Sequence, residues 1–157
     1  MSAGVQDPDD LARIKAWFDR LGQCVRAVNY AAARPLFAEH LIAFGTFEDF
    51  VVGRDEVEQA QWRNVWPVIA GFRWRLDQAR GIVSADRLTA IGMAVFDSTG
   101  YREDGSAYDR PGRATVAFSR RAIGQDWLAD HTHMSLFRGV PGRSFGPRPS
   151  AGPPRGN

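Results

Sequence analysis

Two of the three histidines in this 157-residue chain sit two residues apart, in WLADHTHMS, as His131 and His133. On a strand, side chains at i and i+2 share a face, so the two imidazoles stand roughly 6–7 Å apart. Three roles fit that spacing. The rings can pack and hydrogen-bond within a sheet, form a polar patch in a small-molecule pocket, or share a metal ion. A metal needs a third and usually a fourth ligand, and no CxxC or HExxH pattern supplies them. An imidazole titrates near pH 6.5, so His131 or His133 is the expected general acid or base of any proton transfer. Asp97 is the candidate carboxylate, sharing a strand face with Met93 and Val95. Its other reading is a solvated strand-end residue.

The remaining candidates are aromatic. Trp62 and Trp66 lie one helical turn apart and form either core or one wall of an apolar pocket. Trp17 belongs to the same interior. Tyr30 offers a hydroxyl at the pocket mouth, or packs there half-exposed. Cys24, the single cysteine, has no basic neighbour to activate it and reads as an inert core thiol. Nothing matches a nucleotide-binding loop or a nucleophile elbow, so no cofactor is expected.

These residues need elements to position them. Asp7-Pro8-Asp9-Asp10 opens a helix: an acceptor side chain, a proline suited to the first turn, and acids at the positive end of the dipole. Leu11, Ile14, Phe18, Leu21, Val25 and Val28 then recur at helical steps. A short second helix is expected around Ala32 to Glu39, followed by a strand over Leu41 to Thr46. A third helix runs from Gly53 to Trp66, where Pro67 disturbs it. Four strands follow, over residues 72–80, 87–98, 112–123 and 126–138, and should pair as antiparallel neighbours. Gly92 inside an apolar strand suggests a bend or bulge. The stretch YREDGSAYDRPG reads as a mobile loop. Both faces of the last strand carry apolar residues, so alternation alone leaves open which face looks inward.

The expected fold is α+β: three helices packed on a strongly curved, mainly antiparallel sheet. Residues 1–138 form one domain, and 139–157 are a Gly/Pro-rich tail, flexible or draped on the surface. Charged residues make up 24% of the chain and are scattered, with a formal net charge of +2. All basic residues except Lys15 are arginine, as in GC-rich bacterial genomes, and they form no stripe for nucleic acid. No apolar run approaches the ~18 residues of a membrane span. The N-terminus carries no secretory pattern and a lone cysteine suits a reducing compartment, so a cytoplasmic protein is expected.

Three stretches in order, PLFAEHLIAFGT, VVGRDEVEQAQWRNVW and WLADHTHMS, resemble the SnoaL-like, nuclear transport factor 2-like superfamily, which includes ketosteroid isomerase. The resemblance spans about Leu11 to Arg138. It implies a cone of curved sheet closed by helices, a pocket in its mouth, and a homodimer built on the outer sheet face. It also implies a small hydrophobic ligand, with activities that range over isomerases, cyclases, hydrolases and dehydratases. Some members are noncatalytic interaction or regulatory modules. In the isomerases a strand carboxylate is the base, assisted by a tyrosine and a protonated acid. That set has no residue-by-residue match in this sequence.

Overall fold

Asp7 caps the first helix, accepting a hydrogen bond from the Asp9 amide at 2.9 Å. The helix, α1, spans Pro8–Ala27 and stops where Val28 turns left-handed at φ 51°. The computed structural model describes residues 7–148. Ile14, Trp17, Phe18, Leu21 and Val25 form the buried stripe of α1. At its N-terminus Asp10 is also buried, against Arg87 and Arg120.

The second helix is shorter and earlier than expected. After α2 (Tyr30–Ala33) and a tight turn at Arg34–Leu36, the chain is already strand β1 at Phe37–Phe44. Pro35 cannot donate to a continuing helix. Trp17 Nε1 donates to the Leu36 carbonyl at 2.9 Å, pinning the chain where it straightens.

A two-residue strand, β2 (Val51–Val52), leads into the third helix. This helix starts as α at Arg54–Val57, widens to a π turn at Glu58–Trp62, and tightens through Arg63–Val65 and Trp66–Val68. The π turn brings Gln61, Trp62, Val65 and Trp66 together on the buried side.

Residues 72–80, expected as one strand, divide. β3 (Ala70–Trp74) and β4 (Arg80–Val83) are separated by a 3-10 turn at Leu76–Gln78, and both pair with β5 (Thr89–Tyr101). The stretch expected as a mobile loop contains a strand, β6 (Ala107–Asp109), which pairs with the end of β5. β7 (Gly112–Ser119) and β8 (Leu128–Leu136) complete a sheet of order β2-β1-β8-β7-β5-β3. The sheet is mixed, because β1 and β8 run parallel.

Gly92 pairs regularly on both sides, with Gly81 and Val116, so it marks no bulge. An added Cβ there would meet Phe118 at 2.7 Å and Phe18 at 3.1 Å, so the glycine leaves room for the rings packed against the sheet. From Gly139 to Arg148 the tail lies along the surface. The Ser144 hydroxyl donates to the Val68 carbonyl and accepts the Tyr101 amide, and Tyr108 donates its hydroxyl to the Arg143 carbonyl. The rest of the tail lies outside the described residues.

Candidate functional site

The third helix does not fill the space between itself and the concave face of the sheet. A cavity of about 50 Å³ remains, measured as the volume open to the centre of a water molecule. Trp62 and Trp66 form one wall, stacked with ring centres 5.0 Å apart and planes 17° from parallel. Phe37, Phe72 and Phe96 also line the cavity, Phe37 packed on Trp62 with ring centres 4.9 Å apart, together with Leu21 and Val25 from α1. Outside the cavity lining, Tyr30 stacks on Trp66 at 5.3 Å, and the Arg63 guanidinium lies 4.4 Å from the Tyr30 ring centre. Trp17 is core, edge-on to Phe18, Phe37 and Phe118.

One end of the cavity is polar. Gly45, just past β1, has no side chain because an added Cβ would collide with the Gln61 amide. Gln61 Oε1 accepts the backbone amides of Phe47 and Glu48 at 3.2 and 2.8 Å, and its Nε2 donates to Thr46 Oγ1 at 3.3 Å. Thr46 Oγ1 also accepts from Arg110 Nη2 at 3.1 Å. Holding two donors, the Thr46 hydroxyl is left to direct its own proton elsewhere. The buried Thr132 adds a second hydroxyl-bearing side chain to the lining.

Arg110 is the unusual member. It is 3% exposed, and its Nε finds no hydrogen-bond partner. Burial pulls its guanidinium pKa down, with only the Tyr108 phenol acting the other way. A guanidinium remains charged even so. Its backbone is fixed by exchange with β5: the Arg110 amide donates to the Ser98 carbonyl, and the Ser98 hydroxyl donates to the Arg110 carbonyl, both at 2.8 Å.

The histidines stand on the opposite face of the sheet. Trp127 and Ala129 point inward, but Asp130 is an extra residue: Phe118 pairs with Ala129 while the adjacent Ala117 pairs with His131. This bulge reverses the alternation. Thr132 and Met134 then line the cavity, and His131 and His133 face outward. His131 Nδ1 donates to the Ile42 carbonyl at 2.7 Å, and Phe44 sits edge-on to both imidazoles. Asp130 itself meets His40 Nε2 at 2.9 Å.

No protein-family model and no curated protein matches the sequence. Solved structures do. A ketosteroid isomerase-like protein from Erwinia carotovora atroseptica is 14% identical with a TM-score of 0.69, over 83% of this chain and 98% of its own. An NTF2-like protein of unknown function from Pseudomonas putida is 20% identical with a TM-score of 0.65, over 83% and 89%. A nuclear transport factor 2-like superfamily protein from Salmonella enterica is 15% identical with a TM-score of 0.63, over 94% and 97%. This chain has the nuclear transport factor 2-like fold. At such identities the likeness describes a scaffold, and chemistry must be argued from the site.

Within this NTF2-like cone, Asp97 also lies outside the cavity. Arg75 grips it through Nε and Nη2 at 2.9 and 2.8 Å, and that hydrogen bonding holds its carboxyl below the usual carboxylate range. A carboxylate base poised for neutral pH needs the opposite shift. Burial pushes the Cys24 thiol up, away from a reactive thiolate. Among the described residues no cluster of three or more His, Cys, Asp or Glu could hold a metal. No described helix is long and apolar enough to cross a membrane.

Of the residues marked in the sequence, Trp62 and Trp66 meet at the cavity. Trp17 and Tyr30 pack around it, while His131, His133 and Asp97 lie on the outer face. Thr46, Gln61, Arg110 and Thr132 carried no sequence signal. Thr132 alone was implicit, as the alternate to the histidines.

Proposed function

We propose that this NTF2-like chain binds a small, mainly apolar molecule in the cavity, with Trp62 and Trp66 as its wall, Thr46 and Arg110 at its polar end and Thr132 also in its lining. The observation that carries this reading is the one-sided polarity of an otherwise apolar interior space, the usual design of a ligand site. None of the described lining residues is Asp, Glu, His, Cys, Lys or Tyr. Binding is therefore better supported than proton-transfer catalysis. Thermal denaturation against a panel of small apolar molecules tests it, with Ala43→Val as control. Ala43 is buried on the inward face of β1 and lines the cavity. Valine there occupies part of the space and suits a strand. Saturable stabilisation of the wild type that disappears in Ala43→Val is expected. Equal stabilisation of both proteins would place the ligand elsewhere.

A second reading concerns the outer face, where we propose that two copies meet. One register row crosses six strands, through Val52, Ile42, His131, Ala117, Ile91 and Ile82. Four of these are exposed aliphatics: Val52 at 56%, Ile42 at 39%, Ile91 at 42% and Ile82 at 58%. A largely apolar row on a sheet face favours burial against a partner surface. Light scattering on the eluting protein tests for the dimer, and a monomer at every concentration would refute it.

A further inference from the structure

We infer that the cavity's ligand is a short-chain monocarboxylate, about two or three carbons long, whose carboxylate occupies the free side of the Arg110 guanidinium. The inference rests on the cavity being a ligand site and names what enters it.

Arg110 lacks what its neighbours have. Arg63, Arg75 and Arg87 each present Nε and Nη2 together to a carboxylate, on Glu58, Asp97 and Asp10 respectively. Arg54, whose Nε is also unpaired, has Glu39 at 3.8 Å from its Nη2. Arg110 is more deeply buried than any of these, yet no carboxylate acts on it, only the Tyr108 phenol. Asp97 and Asp109 border the outer groove that Arg110 also reaches, but Asp97 is committed to Arg75 and Asp109 is exposed. An uncompensated buried charge is costly, and an entering anion of unit charge cancels it.

The chemistry of the end site selects a carboxylate. A guanidinium fork matches two coplanar oxygens. Arg110 Nη2 spends one contact on Thr46, and Nε–H has no partner. The Thr46 hydroxyl proton is a further donor beside them. A dianionic phosphate would bring more charge than one guanidinium balances. Size sets the rest. A water needs about 10–15 Å³ by the measure that makes this cavity about 50 Å³. There is room for roughly three to five non-hydrogen atoms, and propionate has five.

The test compares propionate with propionamide, its neutral isostere, by calorimetric or ligand-detected NMR titration of the wild type, Arg110→Met and Ala43→Val. Inorganic phosphate and chloride serve as competing anions. Expected is propionate at least about tenfold tighter than propionamide in the wild type, the size of a charge-assisted hydrogen bond. Arg110→Met should abolish that preference while folding with an equal or higher Tm, since it removes an unpaired buried charge. Arg110→Lys keeps the charge but loses the fork, and should retain only part of the preference. Equal binding of acid and amide, both lost in Ala43→Val, would overturn the carboxylate and leave the cavity reading standing. Inorganic anions binding as tightly as propionate would overturn it too. Binding of neither organic probe, with the apolar panel also inactive, would remove the cavity reading itself.

Discussion

Replacing Asp10 by Asn should cost about 3–5 kcal/mol of folding stability, the usual penalty for removing one partner of a buried ion pair. The geometry supports the upper part of that range. Asp10 and the Arg120 side chain are 1% and 0% exposed. Asp10 Oδ1 accepts from Arg120 Nη2 at 2.5 Å and Arg87 Nη2 at 3.1 Å, and Oδ2 accepts from Arg87 Nε at 2.6 Å. The Arg120 guanidinium lies 3.9 Å above the Trp127 ring, and Trp127 Nε1 donates to the Asp10 carbonyl at 3.2 Å. Asparagine keeps the shape but leaves a fully buried guanidinium without its counter-charge. Whole domains have about 5–15 kcal/mol of stability, so this one group carries a large share. At about 2–4 °C per kcal/mol for a chain of this size, Tm should fall by roughly 6–20 °C. Urea unfolding followed by tryptophan fluorescence at pH 7, with calorimetry for Tm, measures both. Arg87→Met, which removes the 31%-exposed partner, should cost less. A loss below about 1 kcal/mol for Asp10→Asn, the range of exposed pairs, would refute the burial argument.

Acid should destabilise the fold through the same kind of groups. Hydrogen bonds from Arg87 to Asp10 and from Arg63 to Glu58 hold both carboxyls below their ordinary pKa. The unfolded chain therefore binds these protons first, so their stabilisation is complete above the ordinary carboxylate range, near pH 4, and is lost as pH falls below it. Tm measured from pH 7 to 3 should be flat at first and then drop. A drop already under way at pH 6 would point to other groups. His131→Ala and His133→Ala should leave any cavity-ligand response intact, because both rings face outward. Loss of that response in thermal denaturation, with the fold preserved, would contradict their placement. Ile91→Glu, in the centre of the outer apolar row, should convert a dimer to a folded monomer by light scattering. A dimer that persists would move the interface elsewhere.

The parts of this protein set by local chemistry could be read from the chain. Asp7 and Pro8 fix the start of α1, the helical recurrence of apolar residues fixes its buried stripe, and Trp62 and Trp66 fall on the interior side of the third helix. What could not be read depends on distant partners. The bulge at Asp130 arises where β8 pairs with β1 and β7 at once, and nothing in WLADHTHMS distinguishes it from regular alternation. That single residue reverses which side chains look inward, exchanging His131 and His133 for Thr132 and Met134. Arg110 was hidden for a similar reason. It falls in YREDGSAYDRPG, which reads as a mobile loop, and pairing with Ser98 and Thr46 accompanies its burial. The break between β3 and β4 went unseen because the alternation of Phe72, Trp74 and Leu76 carries into the 3-10 turn, and only Asp77-Gln78, two polar residues together, interrupts it.

The most direct measurement is a crystal structure of the protein grown with propionate. The expected result is a three-carbon acid between Trp66 and Arg110, its carboxylate on Nε and Nη2 and its methyl against the aromatic wall. A cavity holding only water, or closed by its own side chains while propionate binds at the outer face beside His131 and His133, would contradict the claim that this interior space is the ligand site.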